Sequence, residues 1–154
     1  MKIWVDADSC PRSVREIICR ASRRTGVAAL FVANREIPLP RENNIELVLH
    51  PDADSHILAS IAENDMVVTR DIPLAARIVD RGVCVMNDRG TLYTAENVRE
   101  RLSIRDYMKE LRDSGAVLSQ RDRFGKDERA AFAATFDREL TRLLSRSSQQ
   151  GHTQ

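Results

Sequence analysis

The sequence predicts an α/β domain: a mainly parallel five-stranded sheet in a three-layer sandwich, with a helical C-terminal extension. Three observations lead there. Five short, almost uniformly apolar runs lie between residues 3 and 86, as suits strands buried on both faces of a parallel sheet. Most are separated by segments whose apolar residues recur at helical spacing. A chain of 154 residues with 42% apolar and 31% charged side chains can build and cover one core. Alternating strands and helices with right-handed crossovers place helices on both sheet faces.

Each element follows in order. Lys2 to Ala7 reads as a first strand through Ile3, Trp4 and Val5. Asp8 or Ser9 is placed to cap the next helix, with Pro11 near its first turn. Val14, Ile17, Ile18 and Ala21 form that helix's apolar face, and Gly26 stops it. Val27 to Ala33 is a second strand. Residues 34–44, with Pro38 and Pro40, form a loop. Ile45 to Leu49 is a third strand, followed by a helix over 54–63 that turns Ile57, Leu58 and Ile61 inward. Met66 to Thr69 is a fourth strand. Pro73 sits near the start of a helix carrying Leu74, Ala75, Ile78 and Val79, which Gly82 ends. Val83 to Met86 is the fifth strand.

After Gly90 the pattern becomes helical. Thr94 caps a helix through Val98 and Leu102. Ser103 with Asp106 has capping-box spacing for a second helix, carrying Met108 and Leu111 and ending at Gly115. Residues 116–126 read as irregular. Residues 127–146 form the longest helical pattern, with the stripe Phe132, Phe136, Leu140, Leu143 and Leu144. The polar end, residues 147–154, reads as a disordered tail.

Composition narrows the function. Mean hydropathy is −0.38, and no run approaches the roughly 18 apolar residues a membrane span needs, so no membrane is expected. Asp6 arrives too early for a signal-peptide apolar region. Cys10, Cys19 and Cys84 have neither disulfide-framework nor C-x-x-C spacing, which points to a reduced, cytoplasmic chain. The 24 basic and 23 acidic residues nearly cancel. Residues 1–98 hold 12 basic and 14 acidic residues (net −2), and 99–154 hold 12 and 9 (net +3). Arginine dominates, and its planar fork suits phosphate.

The acids carry the chemical signal. Ligands of an open parallel sheet bind outside the carboxyl ends of its strands. Asp6 and Asp8 follow the first strand, Asp52 and Asp54 the third, Asp71 the fourth and Asp88 the fifth. Carboxylates brought together repel one another unless a cation neutralises them, and all-oxygen sets favour Mg²⁺ or Mn²⁺. Such ions activate water and bind phosphate, which points to phosphodiester hydrolysis. The competing role for Asp8, Asp54 and Asp71 is to stabilise helix N-termini. Thr69, Asn34 and Asn87 at strand ends suit either phosphate binding or turn-building. Arg35, Arg70, Arg77 and Arg89 stand near the acids as candidate backbone contacts, with a solvated helix face as the competing reading of Arg77. Aromatic residues, at 5%, are too sparse for an extensive base-stacking platform, with Tyr93 the best placed.

The chain resembles the YaiI/YqxD family of uncharacterised bacterial proteins, whose domain looks related to the PIN-like nuclease fold. The resemblance rests on Ile3-Trp4-Val5-Asp6-Ala7-Asp8-Ser9-Cys10-Pro11, Val32-Ala33-Asn34 and Asp65-Met66-Val67-Val68-Thr69-Arg70-Asp71-Ile72-Pro73-Leu74-Ala75. Asn87-Asp88-Arg89-Gly90, Tyr93 and Arg101-Leu102-Ser103-Ile104-Arg105-Asp106-Tyr107-Met108 extend it. It implies one PIN-like domain over 1–146, with a sheet core at 1–93 and C-terminal helices at 94–146. It also implies Asp6, Asp8, Asp54 and Asp71 as catalytic, metal-holding residues, with Asp88 a fifth ligand. Substrate would meet Asn34, Thr69, Arg70, Asn87 and Arg89, and the partner would be nucleic acid, RNA over DNA. Two departures stand out: Asp54 occupies a place often held by Glu, and Arg89 brings a cation that can neutralise an acid in place of metal.

Alternatives remain at this level. Asp6-x-Asp8 is also similar to haloacid-dehalogenase phosphatases, with Thr69 as that family's hydroxyl, but no strand ending in acids follows Lys109 or Lys126. Cys10 at a helix start invites a thiolate role that neighbouring acids oppose. His50 and His56 flank Asp52 and Asp54 and offer a transition-metal site. A small-molecule phosphatase and a non-catalytic nucleic-acid-binding module complete the set.

Overall fold

The computed structural model describes residues 1–115 and 124–151. The strands are β1 (Lys2–Asp6), β2 (Ala28–Ala33), β3 (Ile45–Leu49), β4 (Met66–Val68) and β5 (Cys84–Met86). They pair in the order β3-β2-β1-β4-β5, and every pairing is parallel. The helices are α1 (Arg12–Thr25), α2 (Ala53–Ser60), α3 (Ile72–Asp80), α4 (Ala95–Asp113) and α5 (Lys126–Gly151). Among the described residues no helix is long and apolar enough to cross a membrane.

The two-residue alternation of the strands builds two cores. Ile3, Val5, Phe31, Met66 and Val68 face one side, where Val14 and Ile18 of α1 and Phe132, Phe136 and Leu140 of α5 cover them. Trp4, Leu30, Val32, Val67 and Val85 face the other, under Ile57 and Leu58 of α2, Leu74 and Ile78 of α3, and Val98 of α4. At the sheet centre the strands are apolar on both faces because both faces are covered, whereas the edge strand β3 exposes Glu46 and Leu49.

Gly90 permits one close approach. It sits at φ +88°, and a Cβ there would lie 2.5 Å from the Ala131 carbonyl oxygen of α5. The neighbouring Thr135 hydroxyl donates to the Gly90 carbonyl at 2.7 Å. Gly90→Ala is therefore expected to push α5 off the sheet edge and cost about 2–3 kcal/mol in urea unfolding, through both strain and overpacking. An unchanged midpoint would show that α5 shifts freely.

Four local expectations change. The cap of α1 is Pro11, without a side-chain hydrogen bond, and neither Asp8 nor Ser9 caps it. Ser103 and Asp106 do not begin a new helix: Ser103 Oγ donates back to the Arg99 carbonyl within α4, a 19-residue helix. Its capping box is Thr94 with Asn97, two reciprocal bonds that satisfy the first turn. The helix expected over 54–63 is Ala53–Ser60, because Asp52 caps it one residue earlier. Finally, α5 continues through residues 147–151 of the expected tail. That stretch is polar but holds no Pro or Gly before Gly151, and Asn64 Nδ2 donates to Ser147 Oγ. Residues 152–154, and residues 116–123 of the expected irregular stretch, lie outside the described residues; Lys126 already belongs to α5.

Candidate active site

Register decides which acids meet. Val5 lies opposite Val68, so Asp6 and Thr69 leave the sheet side by side. Both share the parity of Trp4 and Val67 and so emerge on the α2/α3 face. Thr69 Oγ1 donates to Asp6 Oδ2 at 2.9 Å and accepts the Asp71 amide at 3.0 Å. Asp71 in turn caps α3, its Oδ1 accepting from the Leu74 amide at 2.9 Å. Asp54 comes from the first turn of α2, behind its cap Asp52, which accepts from both the amide and the hydroxyl of Ser55. Both oxygens of Asp8 accept the Asn34 amide at 3.1 Å, tying the end of β1 to the end of β2.

Asp6, Asp8, Asp52, Asp54 and Asp71 thus line one open pocket of ≈ 520 Å³, together with Arg70 and Arg105. It lies outside the carboxyl ends of β1 and β4, where strand order reverses. A larger groove of ≈ 620 Å³ runs between α1 and α5, but its acid, Asp137, is bonded to Arg24 at 2.9 Å and its walls are mainly apolar.

The pocket carboxylates feel one another. Burial, then the charges of Asp71 and Asp6, push the Asp54 carboxyl up to about 6; a hydrogen bond with Asp71 and the charge of Asp52 act the same way. Asp6 is also raised, chiefly by burial; its bond from Thr69 opposes the rise, while Asp71 and Asp8 add to it. Gathering these charges carries a cost that a cation would relieve.

Other expected residues stand elsewhere. Asp88 does not join the pocket: it is buried, and its Oδ2 accepts from Arg70 Nε at 2.5 Å. A buried carboxylate needs a cation, and Arg70 already supplies one. Arg89 turns toward α5, its Nη1 3.8 Å from Glu128, and so does not enter the acid cluster. Asn87 builds its own turn, its Oδ1 accepting the Arg89 and Thr91 amides at 2.9 Å each. Asn34 gives its amide to Asp8, and buried Thr69 orients Asp6.

The remaining nucleophile and metal candidates are spoken for. Burial, then the charge of Asp88, pushes the Cys10 thiol up to about 12, which opposes a thiolate role. His50 Nδ1 accepts the Asp52 amide at 2.9 Å, and its ring lies 5.1 Å from that of His56. Among the described residues, no three His, Cys, Asp or Glu side chains stand ready to hold a metal ion. The donor set of Asp6, Asp54 and Asp71 still fits a hard cation in type and charge: all oxygen, mutually repelling and open to solvent. A cation would have to draw these side chains closer.

Sequence reasoning missed two residues. Arg105 reaches the pocket from α4, and its advance signals are its place in the Arg101–Met108 segment that extends the family resemblance and its spacing of four residues after Arg101. Buried Asp65 accepts from Lys2 N at 2.9 Å, Trp4 Nε1 at 3.0 Å and Ala62 N at 2.8 Å, a purely structural role.

Comparison with known proteins gives one consistent result. A profile described as "Uncharacterized BCR, YaiI/YqxD family" matches residues 4–142. A UPF0178 protein of Myxococcus xanthus is 48% identical over 148 residues, covering 94% of this chain and 97% of its own length. One from Treponema pallidum is 48% identical over 148 residues, covering 94% of this chain and 84% of its own. One from Syntrophobacter fumaroxidans is 44% identical over 146 residues, covering 92% and 95%. No solved structure matches the chain.

Proposed function

The chain belongs to the YaiI/YqxD family, and we propose that it is a divalent-metal-dependent phosphodiesterase acting on RNA, of the kind seen in PIN-like nucleases, in the cytoplasm. The observation that carries this reading is the convergence of Asp6, Asp54 and Asp71 in the switch-point pocket, where burial and then the charges of Asp71 and Asp6 push Asp54 up to about 6.

In this reading Asp6 and Asp71 are the main holders of Mg²⁺ or Mn²⁺, and Asp8 supports them. When bound, the ion supplies charge to the phosphate and makes its water more acidic. Asp54, beside them in the pocket, is the carboxylate placed to accept a proton from the attacking water. Thr69 fixes the rotamer of Asp6, and Arg70 and Arg105 face the phosphate. The direct test incubates end-labelled single-stranded RNA with the protein and millimolar Mg²⁺ or Mn²⁺. Cleavage that a chelator stops supports the proposal; none with any divalent ion removes it.

A thermal measurement tests the electrostatics separately. The folded Asp54 value lies above that of a free carboxylate, so the folded form binds more protons between about pH 4 and about 6. Stability contributed by this group is therefore lost as pH rises through that window. Mn²⁺ should restore it, raising the melting temperature by about 2–4 °C at pH 8, as about 1 kcal/mol does in a domain of this size. At about pH 4 the gain should be much smaller, because Asp54 is then protonated. Equal shifts at both pH values would place the ion elsewhere.

A second reading has its own support. The Arg70–Asp88 pair already places an arginine beside the acids. On that basis the pocket would serve a non-catalytic nucleic-acid-binding module. RNA binding without metal and without turnover would favour it.

A further inference from the structure

The outer half of α4 is the least covered regular element among the described residues. From Ser103 to Asp113 every residue is exposed except Leu111, which is half-buried. Ile104 is 51% and Tyr107 59% exposed, although both are large and apolar or aromatic. A helix this exposed gains little from packing against its own domain.

Its charges are sorted by face. At 3.6 residues per turn, Arg101, Arg105, Lys109 and Arg112 fall within about a quarter of the circumference. Ile104, Met108 and Leu111 lie directly beside them, and Tyr107 borders these. Asp113, Asp106 and Glu110 follow on the other flank of the basic row, away from the apolar one. The basic row begins at the carboxylate pocket, because Arg105 lines it. An adjoining groove of ≈ 400 Å³, lined by Asn97, Glu100, Arg101, Ile104 and Arg105, shares Ile72 and Arg105 with that pocket. Arg101 is held in place, its Nη2 donating to Thr91 Oγ1 at 3.2 Å and its guanidinium 5.8 Å from the Tyr93 ring centre. Arg105 makes one long contact of 3.9 Å to Asp106, and both are exposed, so it retains its charge for a ligand.

We infer that this half of α4 is a docking arm for single-stranded RNA, which lays phosphates along Arg105, Lys109 and Arg112 and rests unstacked bases on Tyr107 and its apolar neighbours. Cations one helical turn apart, about 6 Å in rise, follow a polyanionic backbone. The neighbouring apolar row suits exposed base faces, which a duplex keeps stacked inside. An antiparallel pairing of two copies along the same row is disfavoured, because the two-fold axis would set basic flank against basic flank. The arm directs the strand toward the carboxylates, and so rests on the phosphodiesterase reading for what happens there.

The test measures binding of a labelled single-stranded RNA by anisotropy, with a chelator present so that no cleavage occurs. The full chain is compared with the triple variant Arg105→Ala/Lys109→Ala/Arg112→Ala, with Tyr107→Ala and with Asp71→Asn. The triple variant is expected to bind about tenfold or more weakly, with the salt slope reduced by about 2, as three lost phosphate contacts require. Tyr107→Ala should weaken binding with an unchanged slope, and Asp71→Asn should bind at least as well as the parent. Absence of binding by the parent, or unchanged affinity in the triple variant, overturns the arm. So does a parent dimer that Ile104→Asp dissociates without loss of RNA binding. If the arm variants lose binding while the parent cleaves nothing, the arm stands and the phosphodiesterase reading falls. If Asp71→Asn loses cleavage while the triple variant keeps full affinity, the reverse holds.

Discussion

Asp71→Asn is expected to reduce cation-dependent RNA cleavage by about 10²–10³-fold, the scale on which removal of one electrostatic contributor acts, while the melting temperature stays within about 2 °C. The two readouts separate because Asp71 has two jobs. Its Oδ1 caps α3 by accepting the Leu74 amide, and Asn caps a helix about as well as Asp. In the proposed mechanism the lost charge is the one that holds the cation. Removing it also relieves the repulsion that raises Asp54, which tends to stabilise the fold. Asp71→Ala should cost about 1 kcal/mol more in stability through the missing cap, with no greater loss of cleavage. Asp6→Asn should match Asp71→Asn in activity. Undiminished cleavage in both Asn variants would end the proposal that these carboxylates do the chemistry.

The largest effect on stability is expected at Asp65→Ala, about 3–5 kcal/mol, or a fall of roughly 10 °C or more in melting temperature. The carboxylate is buried and accepts from three donors on β1 and the turn before β4: Lys2 N, Trp4 Nε1 and Ala62 N. Alanine strips all three of their acceptor. Trp4 is itself buried, so its indole N–H has no route to water. Asp65→Asn should recover about half of the loss. Its single oxygen can serve Trp4 and Ala62, which share Oδ2, while its amide faces the Lys2 N–H near solvent. Chemical denaturation of the two variants checks the order. Equal stability of Ala and parent would mean water reaches this cluster.

Several features were legible locally. Five strands could be read because each is a short, mostly apolar run, and the helices between them because their apolar residues recur with the helical period. The Thr94 cap and the Gly26 and Gly82 stops could also be read, since each acts on backbone within a turn of itself. Failures came where a local signal had two uses. Ser103 and Asp106 have capping spacing, yet Ser103 bonds backward within a continuing helix. Asp8 has capping chemistry, yet serves Asn34 across the sheet. Residues 147–154 read as a disordered tail, but no helix breaker separates residues 147–150 from the rest of α5.

By itself, then, the sequence determined the α/β class, the strand runs and the placing of acids at strand ends, because periodicity and chain order need no distant partner. Only the tertiary structure decided which acids stand together. Parallel register set Asp6 beside Thr69, and the caps of α2 and α3 brought Asp54 and Asp71 to them. The same packing withdrew Asp88, because a buried carboxylate takes the nearest cation, and that is Arg70. Charges interact through space with a strength set by distance and burial, and neither is written in their order along the chain.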